Sequence, residues 1–253
     1  MSAKKETLGK TVGIVVAVCL VCSIVVAGSA VGLRATQERN AALDKKSNIL
    51  TAAGLYEAGM TGAQITDVYD QFVQERHISL ETGQYVETEE GYDMYKAAKD
   101  PARSSKVENS NVGFQRRADV ASVYVVKDSN GAVTRVVLPV HGSGLWDLMY
   151  GFLAVDADGN TIKELVYYQH KETPGLGGEI QNPAWAAKWQ GKQLYDDGKV
   201  AIQVKKQAGN DNPYAVDAIS GATLTSNGVQ NTLTYWAGEN GYGPYLKKQS
   251  WRS

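Results

Sequence analysis

The residues best suited to chemistry lie in one stretch, Asp217-Ala218-Ile219-Ser220-Gly221-Ala222-Thr223-Leu224-Thr225-Ser226. It sets small and hydroxyl side chains in front of a helical pattern in which Leu224, Val229, Leu233 and Trp236 recur, closed by Gly238 and Gly241. A turn feeding a helix N-terminus has free backbone N–H groups and a partial positive charge, which suits a phosphate. Gly221 lets the backbone turn without a Cβ clash, Ala222 keeps the approach open, and Thr223 presents a hydroxyl where a phosphate would lie. The same residues also read as a plain helix cap, with Thr225 or Ser226 accepting from the first free N–H groups and no ligand at all. The two readings are compatible, since Thr225 can cap while Thr223 is modified.

Two glycine-rich segments follow predicted strands. In His141-Gly142-Ser143-Gly144-Leu145-Trp146 the glycines allow backbone to approach a flat ligand, or they make a tight loop whose Leu145 and Trp146 plug the core. The glycine spacing is not that of a dinucleotide-binding βαβ unit. Glu172-Thr173-Pro174-Gly175-Leu176-Gly177-Gly178 is a tight exposed turn with Leu176 at its tip, able to cover an aromatic ring face. Glu172 and Glu179 read as solvated loop carboxylates rather than as an acid–base pair. His170 is placed near the loop with a surface role, and His77 reads as a surface or partner contact. Asp156-Ala157-Asp158-Gly159-Asn160 lacks the later glutamate of a calcium loop and reads as an ordinary turn, so no metal site is expected. Ser220 lacks the G-x-S-x-G context of a hydrolase nucleophile, and no catalytic side chain is assigned.

Ser220-Gly221-Ala222-Thr223, preceded by Asp217 and followed by Leu224-Thr225, resembles the flavin-attachment motif of the FMN-binding domain family. The chain as a whole, from an N-terminal anchor to Tyr242-Gly243-Pro244-Tyr245, is similar to the family of C subunits of Na+-translocating NADH:quinone oxidoreductases. The G subunits of Rnf-type electron-transfer complexes share the motif. The resemblance implies FMN carried covalently by a phosphoester on Thr223, installed by a flavin transferase. It implies that Ser220, Gly221, Ala222 and Thr225 surround the attachment point. It also places Gly144, Leu145 and Trp146, with Glu172, Thr173, Gly175 and Leu176, against the flavin. Electrons would reach this FMN from a cytoplasmic NADH-oxidising subunit through iron–sulfur centres and pass to another flavin subunit and ubiquinone. Partners would be the other subunits of that complex, and the chain would not be active alone. An Rnf-type subunit, a membrane-anchored FMN sensor and a phosphate-cap domain without flavin are the alternatives. The long 35–111 region favours the quinone-reductase subunit over the Rnf type.

The 253 residues carry a net charge of −1 with no basic patch, which argues against a nucleic-acid partner. Val12–Leu33 contains no charged side chain and, at about 22 residues, is long enough to cross a bilayer core of about 30 Å as a helix. It exceeds the about 7–15 apolar residues of a signal peptide, so Ala27-Gly28-Ser29-Ala30 is not read as a cleavage site. Lys4, Lys5 and Lys10 precede it, while Arg34, Arg39, Lys45 and Lys46 follow, so the local charge count does not set the orientation. The short basic tail, residues 1–11, is expected in the cytoplasm, with the main domain on the periplasmic side of a bacterial inner membrane. Cys19 and Cys22 lie inside the span and read as small apolar residues rather than as a redox or metal pair. The span holds no ionisable residue to bind Na+.

The predicted fold class is α+β, one transmembrane helix followed by an antiparallel sheet with helices to one side. The expected domains are a tail at 1–11, a transmembrane helix at 12–33, a helical membrane-proximal elaboration at 34–118 and an FMN-binding domain at 119–253. Within the elaboration a helix is expected over 35–54, a second ending near His77, a hairpin around Thr82-Gly83, a helix over 87–99 and a polar loop over 102–111. Beyond it, strands are expected over 121–127, 133–140, 151–155, 161–168 and 200–205. The first pair is joined by the hairpin turn Asp128-Ser129-Asn130-Gly131, and a helix is expected over 182–190.

Overall fold

A computed structural model of the chain describes residues 8–252, Asn109 and Asn210 apart. Met1–Thr7, with Lys4 and Lys5 of the basic tail, lie outside the described residues. The chain divides into two compact units, one ending at Lys45 and the other beginning at Lys46.

Helix α1, Leu8–Ala53, begins in the first unit and is long and apolar enough to cross a membrane. Val12–Leu33 is exposed along its whole length, as an unpartnered apolar helix is when no bilayer surrounds it. The last turns of α1 belong to the second unit, where Ile49, Leu50, Ala52 and Ala53 are buried.

The next helix, α2, spans Gly62–Phe72 and starts with a capping box: Thr61 accepts from the Gln64 N–H and the Gln64 side chain accepts from the Thr61 N–H. The helix expected to run to His77 stops at Phe72. The chain turns there into strand β1, Val73–Ser79, whose seven residues all pair antiparallel with a later strand. Pairing along its whole length, from Val73 opposite Val126 to Ser79 opposite Val120, is a long-range gain that overrides the local helical pattern. The turn at Thr82-Gly83 forms as expected, closed by the Ile78–Tyr85 bridge. The predicted 87–99 helix shrinks to α3, Met94–Ala97, capped by Asp93, because Gly91 takes φ 73° and breaks the run. The predicted loop over 102–111 contains strand β2, Ser104–Lys106, paired with β3, Arg116–Ala118.

The main sheet is completed by β4 (Val120–Lys127), β5 (Val133–Ser143), β6 (Leu148–Asp156) and β7 (Ile162–Gln169), all antiparallel in the order β1-β4-β5-β6-β7. Gly131, at φ 81°, closes the β4–β5 turn. Asp158 is held by the N–H groups of Asn160 and Thr161, so the acidic loop is a turn between β6 and β7. The 182–190 helix is realised as α4, Pro183–Ala186, continued by a tighter turn over Ala187–Trp189. The expected 200–205 strand is broken into β9, Lys199–Val200, which pairs with β8, Tyr195–Asp196, and β10, Gln203–Lys205, which runs parallel to β11, Ala215–Asp217. The break falls where the Ala201 and Ile202 N–H groups share the Leu194 carbonyl. Helix α5, Thr223–Ala237, and α6, Gly243–Lys248, end the fold.

The sheet is buried on both faces, not on one. Val123, Val125, Val136, Leu138, Leu153 and Leu165 join Val229, Leu233 and Trp236 of α5 in the principal core. Tyr124, Val137, Phe152 and Ala154, which point the other way, are buried as well. Arg135, on that second face, donates to the carbonyl of Ala52 at 3.4 Å and so ties β5 to the end of α1. The near-continuous apolar runs of β4 to β6 are the sequence counterpart of two covered faces.

His141 of β5 lies in the aromatic wall of this fold. It is 6 % exposed, stacks on Tyr150 at 5.6 Å and meets Phe114 at 4.4 Å, and its Nδ1 has no partner among the described residues. Burial pushes its pKa down from 6.5 to about 4, so the folded chain holds it neutral. The unfolded chain takes up the proton first. Stability from this residue is therefore complete above about pH 6.5, falls as the pH drops from there to about 4, and levels off below, a loss on the order of 3 kcal/mol. Denaturant titrations across that window should show a smaller loss for His141→Gln than for the parent chain. Parallel losses in the two would contradict this assignment.

Candidate functional site

The stretch from Asp217 to Ser226 folds as a turn that launches a helix. The Ala222 N–H donates to the Ile219 carbonyl at 3.1 Å and Gly221 sits at φ 75°, the arrangement of a type II turn that requires a residue free to adopt positive φ. Asp217 anchors the approach: one carboxylate oxygen accepts from the Ala208 N–H at 2.9 Å, the other from Lys188 at 3.2 Å. These bonds, that of Ala208 first, hold its carboxyl below the usual range. Helix α5 then begins at Thr223, whose side chain is exposed, as is Ser220.

Neither Thr225 nor Ser226 caps this helix. No side chain among the described residues caps the first turn, and both hydroxyls face inward. Ser226 Oγ accepts from the Ile219 N–H at 3.0 Å, while Thr225 Oγ1 donates to Glu172 Oε2 at 2.5 Å. The reason is helical phase. Val229, Leu233 and Trp236 define the buried face, and Thr225, four residues before Val229, falls on it. Leu224 falls off that face and is 59 % exposed, so it is not part of the core pattern in which it was expected.

Glu172 draws the other two segments to the same place. It is 4 % exposed, not a solvated loop carboxylate. Its Oε1 accepts from the Trp146 N–H at 3.0 Å, opposite the bond from Thr225 to Oε2. A Cβ at Gly144 would lie 2.5 Å from Oε1, and one at Gly177 2.7 Å from Oε2, so both glycines make room for the carboxylate. Trp146 Nε1 donates to Thr173 Oγ1 at 3.2 Å, and Leu176 Cδ2 lies 3.2 Å from where a Gly221 Cβ would be. Gly175, at φ 74°, makes the turn before Leu176. The Lys171–Asp147 ion pair joins the two loops on their outer side at 2.5 Å.

The turn that carries Ser220, Gly221, Ala222, Thr223 and Thr225 thus meets the segments that carry Gly144, Leu145 and Trp146 and Glu172, Thr173, Gly175 and Leu176, through the Thr225–Glu172 and Trp146–Glu172 bonds and the approach of Leu176 to Gly221. Leu145, Trp146, Leu176 and Leu224 are all exposed there, leaving an apolar wall beside the uncapped N-terminus of α5. Neither Leu145 nor Trp146 plugs the core. Glu179 is turned away to Asn182 at 2.6 Å, so it forms no pair with Glu172. His170 accepts the Glu172 N–H on Nδ1 at 3.1 Å, and His77 lies apart, bonded through Nδ1 to Thr88 at 2.9 Å.

The packing of α5 on β5 rests on two glycines: Gly228, not singled out in the sequence, and Gly142, whose segment reads there only as a ligand-facing or tight loop. Gly228 lets α5 cross β5, since a Cβ there would lie 2.2 Å from the Ser143 carbonyl oxygen. Gly142 does the same for Thr232, at 2.1 Å. Gly228 lies on the face set by Val229 and Leu233, and a glycine on a buried helical face is the signal that identifies it. No cluster of potential metal ligands occurs among the described residues.

A family model described as the FMN-binding domain matches residues 144–238, from the Trp146 loop to the end of α5. Over the whole chain, the C subunit of the Na(+)-translocating NADH-quinone reductase of Yersinia pestis is 46% identical over 248 residues, 96% of this chain and 93% of the relative. That of Vibrio vulnificus is 45% identical over 251 residues, 97% of each. Among solved structures, NqrC of Shewanella oneidensis superposes with a TM-score of 0.78 at 34% identity, covering 85% of this chain and 98% of that one. The corresponding protein of Parabacteroides distasonis gives 0.67 at 28% identity, covering 85% and 96%. With full-length relatives above 40% identity and the same fold, the chain belongs to the family of C subunits of Na+-translocating NADH-quinone reductase, membrane-associated members of an oxidoreductase complex.

Proposed function

We propose that this chain carries FMN as a phosphoester on Thr223 and relays electrons within a Na+-pumping NADH:quinone reductase towards ubiquinone. One observation carries the reading: an exposed threonine hydroxyl at an uncapped helix N-terminus, beside an exposed wall of Leu145, Trp146, Leu176 and Leu224. The free N–H groups of the first turn suit a phosphate, and the apolar wall suits a flat ring. In the step the flavin transferase would catalyse, Thr223 Oγ1 bonds to the flavin-side phosphorus of a flavin dinucleotide, the phosphoanhydride P–O bond breaks, a nucleoside monophosphate leaves, and the hydroxyl proton is released to solvent, with no change of oxidation state. When bound, FMN supplies electron-transfer chemistry that no side chain here can supply. The protein binds the phosphate, orients the ring and keeps the cofactor from diffusing away. The uncharged span Val12–Leu33 anchors the domain in the bacterial inner membrane, with the short tail in the cytoplasm and the domain in the periplasm. The remaining subunits of the complex are its partners.

The test is affinity purification of the tagged full-length chain from gently solubilised membranes of its own cells. The expected preparation contains further subunits and reduces quinone with NADH in a Na+-dependent manner, and the band of this chain fluoresces as a flavin after denaturation. A chain recovered alone and without fluorescence would contradict the proposal.

A further inference from the structure

Glu172 stands at the centre of the site yet offers a ligand almost nothing, being 4 % exposed. Both carboxylate oxygens are occupied by the protein, one by the Trp146 N–H and the other by the Thr225 hydroxyl. No lysine, arginine or histidine forms an ion pair with it among the described residues. Burying a carboxylate is costly unless hydrogen bonds compensate. Here the two bonds come from opposite sides, one from the loop that carries the exposed indole and one from the helix turn that carries Thr223. A carboxylate accepts through both oxygens at once, and a carboxamide through only one.

A cofactor tied through its phosphate alone is tethered but not oriented, because the chain between phosphate and ring has many rotatable bonds. Orientation must come from the surface the ring lies on, and precise placement of a redox group needs that surface held rigidly. We propose that Glu172 is a positioning residue for the flavin ring. Acting through Trp146 and Thr225, it fixes the apolar wall relative to the attachment turn, and its buried negative charge opposes addition of electrons to the ring beside it. The inference rests on attachment at Thr223. It differs from the role expected of Glu172 in the sequence, since the side chain acts on the ring without touching it.

The experiment uses full-length chain co-expressed with the flavin transferase and purified in detergent, as parent, Glu172→Gln and Gly144→Ala. The first change removes the charge and one acceptor at nearly constant size. The second keeps the charge but places a Cβ 2.5 Å from Oε1, forcing the carboxylate to move. Flavin attachment is read first, by mass, on the parent; its absence there overturns the attachment reading and this inference together. With the parent flavinylated, both variants are expected to keep FMN on Thr223 while their flavin fluorescence anisotropy falls and their visible circular dichroism weakens. Glu172→Gln is also expected to raise the flavin midpoint potential, which a purely structural role would leave in place. Parent-like anisotropy, dichroism and potential in flavinylated Glu172→Gln would overturn the inference. So would loss of attachment in a variant with parent far-ultraviolet dichroism, since that would tie the carboxylate to the transferase instead. If Glu172→Gln does not fold, Gly144→Ala decides: parent-like anisotropy and dichroism there overturn the inference.

Discussion

Replacing Thr223 by Val should abolish covalent flavin and reduce quinone reduction by the assembled complex to the background without flavin. Valine has the shape and branching of threonine but no hydroxyl, so the substitution removes the bridging oxygen and little else. Thr223 is exposed at the first position of α5 and its side chain makes no hydrogen bond among the described residues, so the melting temperature should stay near that of the parent. The contrast is Thr225→Val. That change leaves Thr223 available and keeps some flavin, but it deprives a buried carboxylate of a donor, at a cost of about 1–3 kcal/mol. In-gel flavin fluorescence, NADH:quinone activity and a thermal melt on the same preparations separate the two. A fluorescent band from Thr223→Val would remove the attachment assignment.

Trp236→Ala should be the most damaging single change to the scaffold. Trp236 is fully buried, stacks on Tyr242 at 5.1 Å and meets His141 at 5.0 Å, and its Nε1 donates to the His141 carbonyl at 2.7 Å. Truncating such a side chain costs about 3–5 kcal/mol. The buried carbonyl left without a donor pushes the loss towards the upper end. Against a total stability of about 5–15 kcal/mol this is a large fraction, and it should lower the melting temperature of the detergent-solubilised chain by roughly 10 °C. A shift below about 2 °C would mean that α5 is not held to β5 as described.

The reach of sequence reasoning can be judged from particular residues. The strands β4 to β7 were legible because Asp128-Ser129-Asn130-Gly131 and the acidic turn at 156–160 punctuate runs rich in β-branched side chains. The start of α5 and the exposed Thr223 were legible because small residues precede a helical period. The switch from α2 to β1 was not, because Val73–Ser79 owes its strand conformation to β4, more than forty residues away. The burial of Glu172 was hidden for the same reason, since its two donors come from residues 146 and 225. A glutamate after a histidine in a glycine-rich loop looks solvated until those segments converge. The inward turn of Thr225 was readable in principle, because counting back four from Val229 puts it on the buried face and Leu224 outside. The cap expectation gave local hydroxyl preference more weight than that phase.

The central claim is attachment at Thr223, and peptide mass spectrometry tests it most directly. The full-length chain would be co-expressed with the flavin transferase, digested, and the peptide spanning Asp217–Ser226 fragmented. The account predicts an FMN-sized increment localised to Thr223. An unmodified peptide from transferase-competent cells, or an increment localised to Thr225 or Ser220, would contradict it.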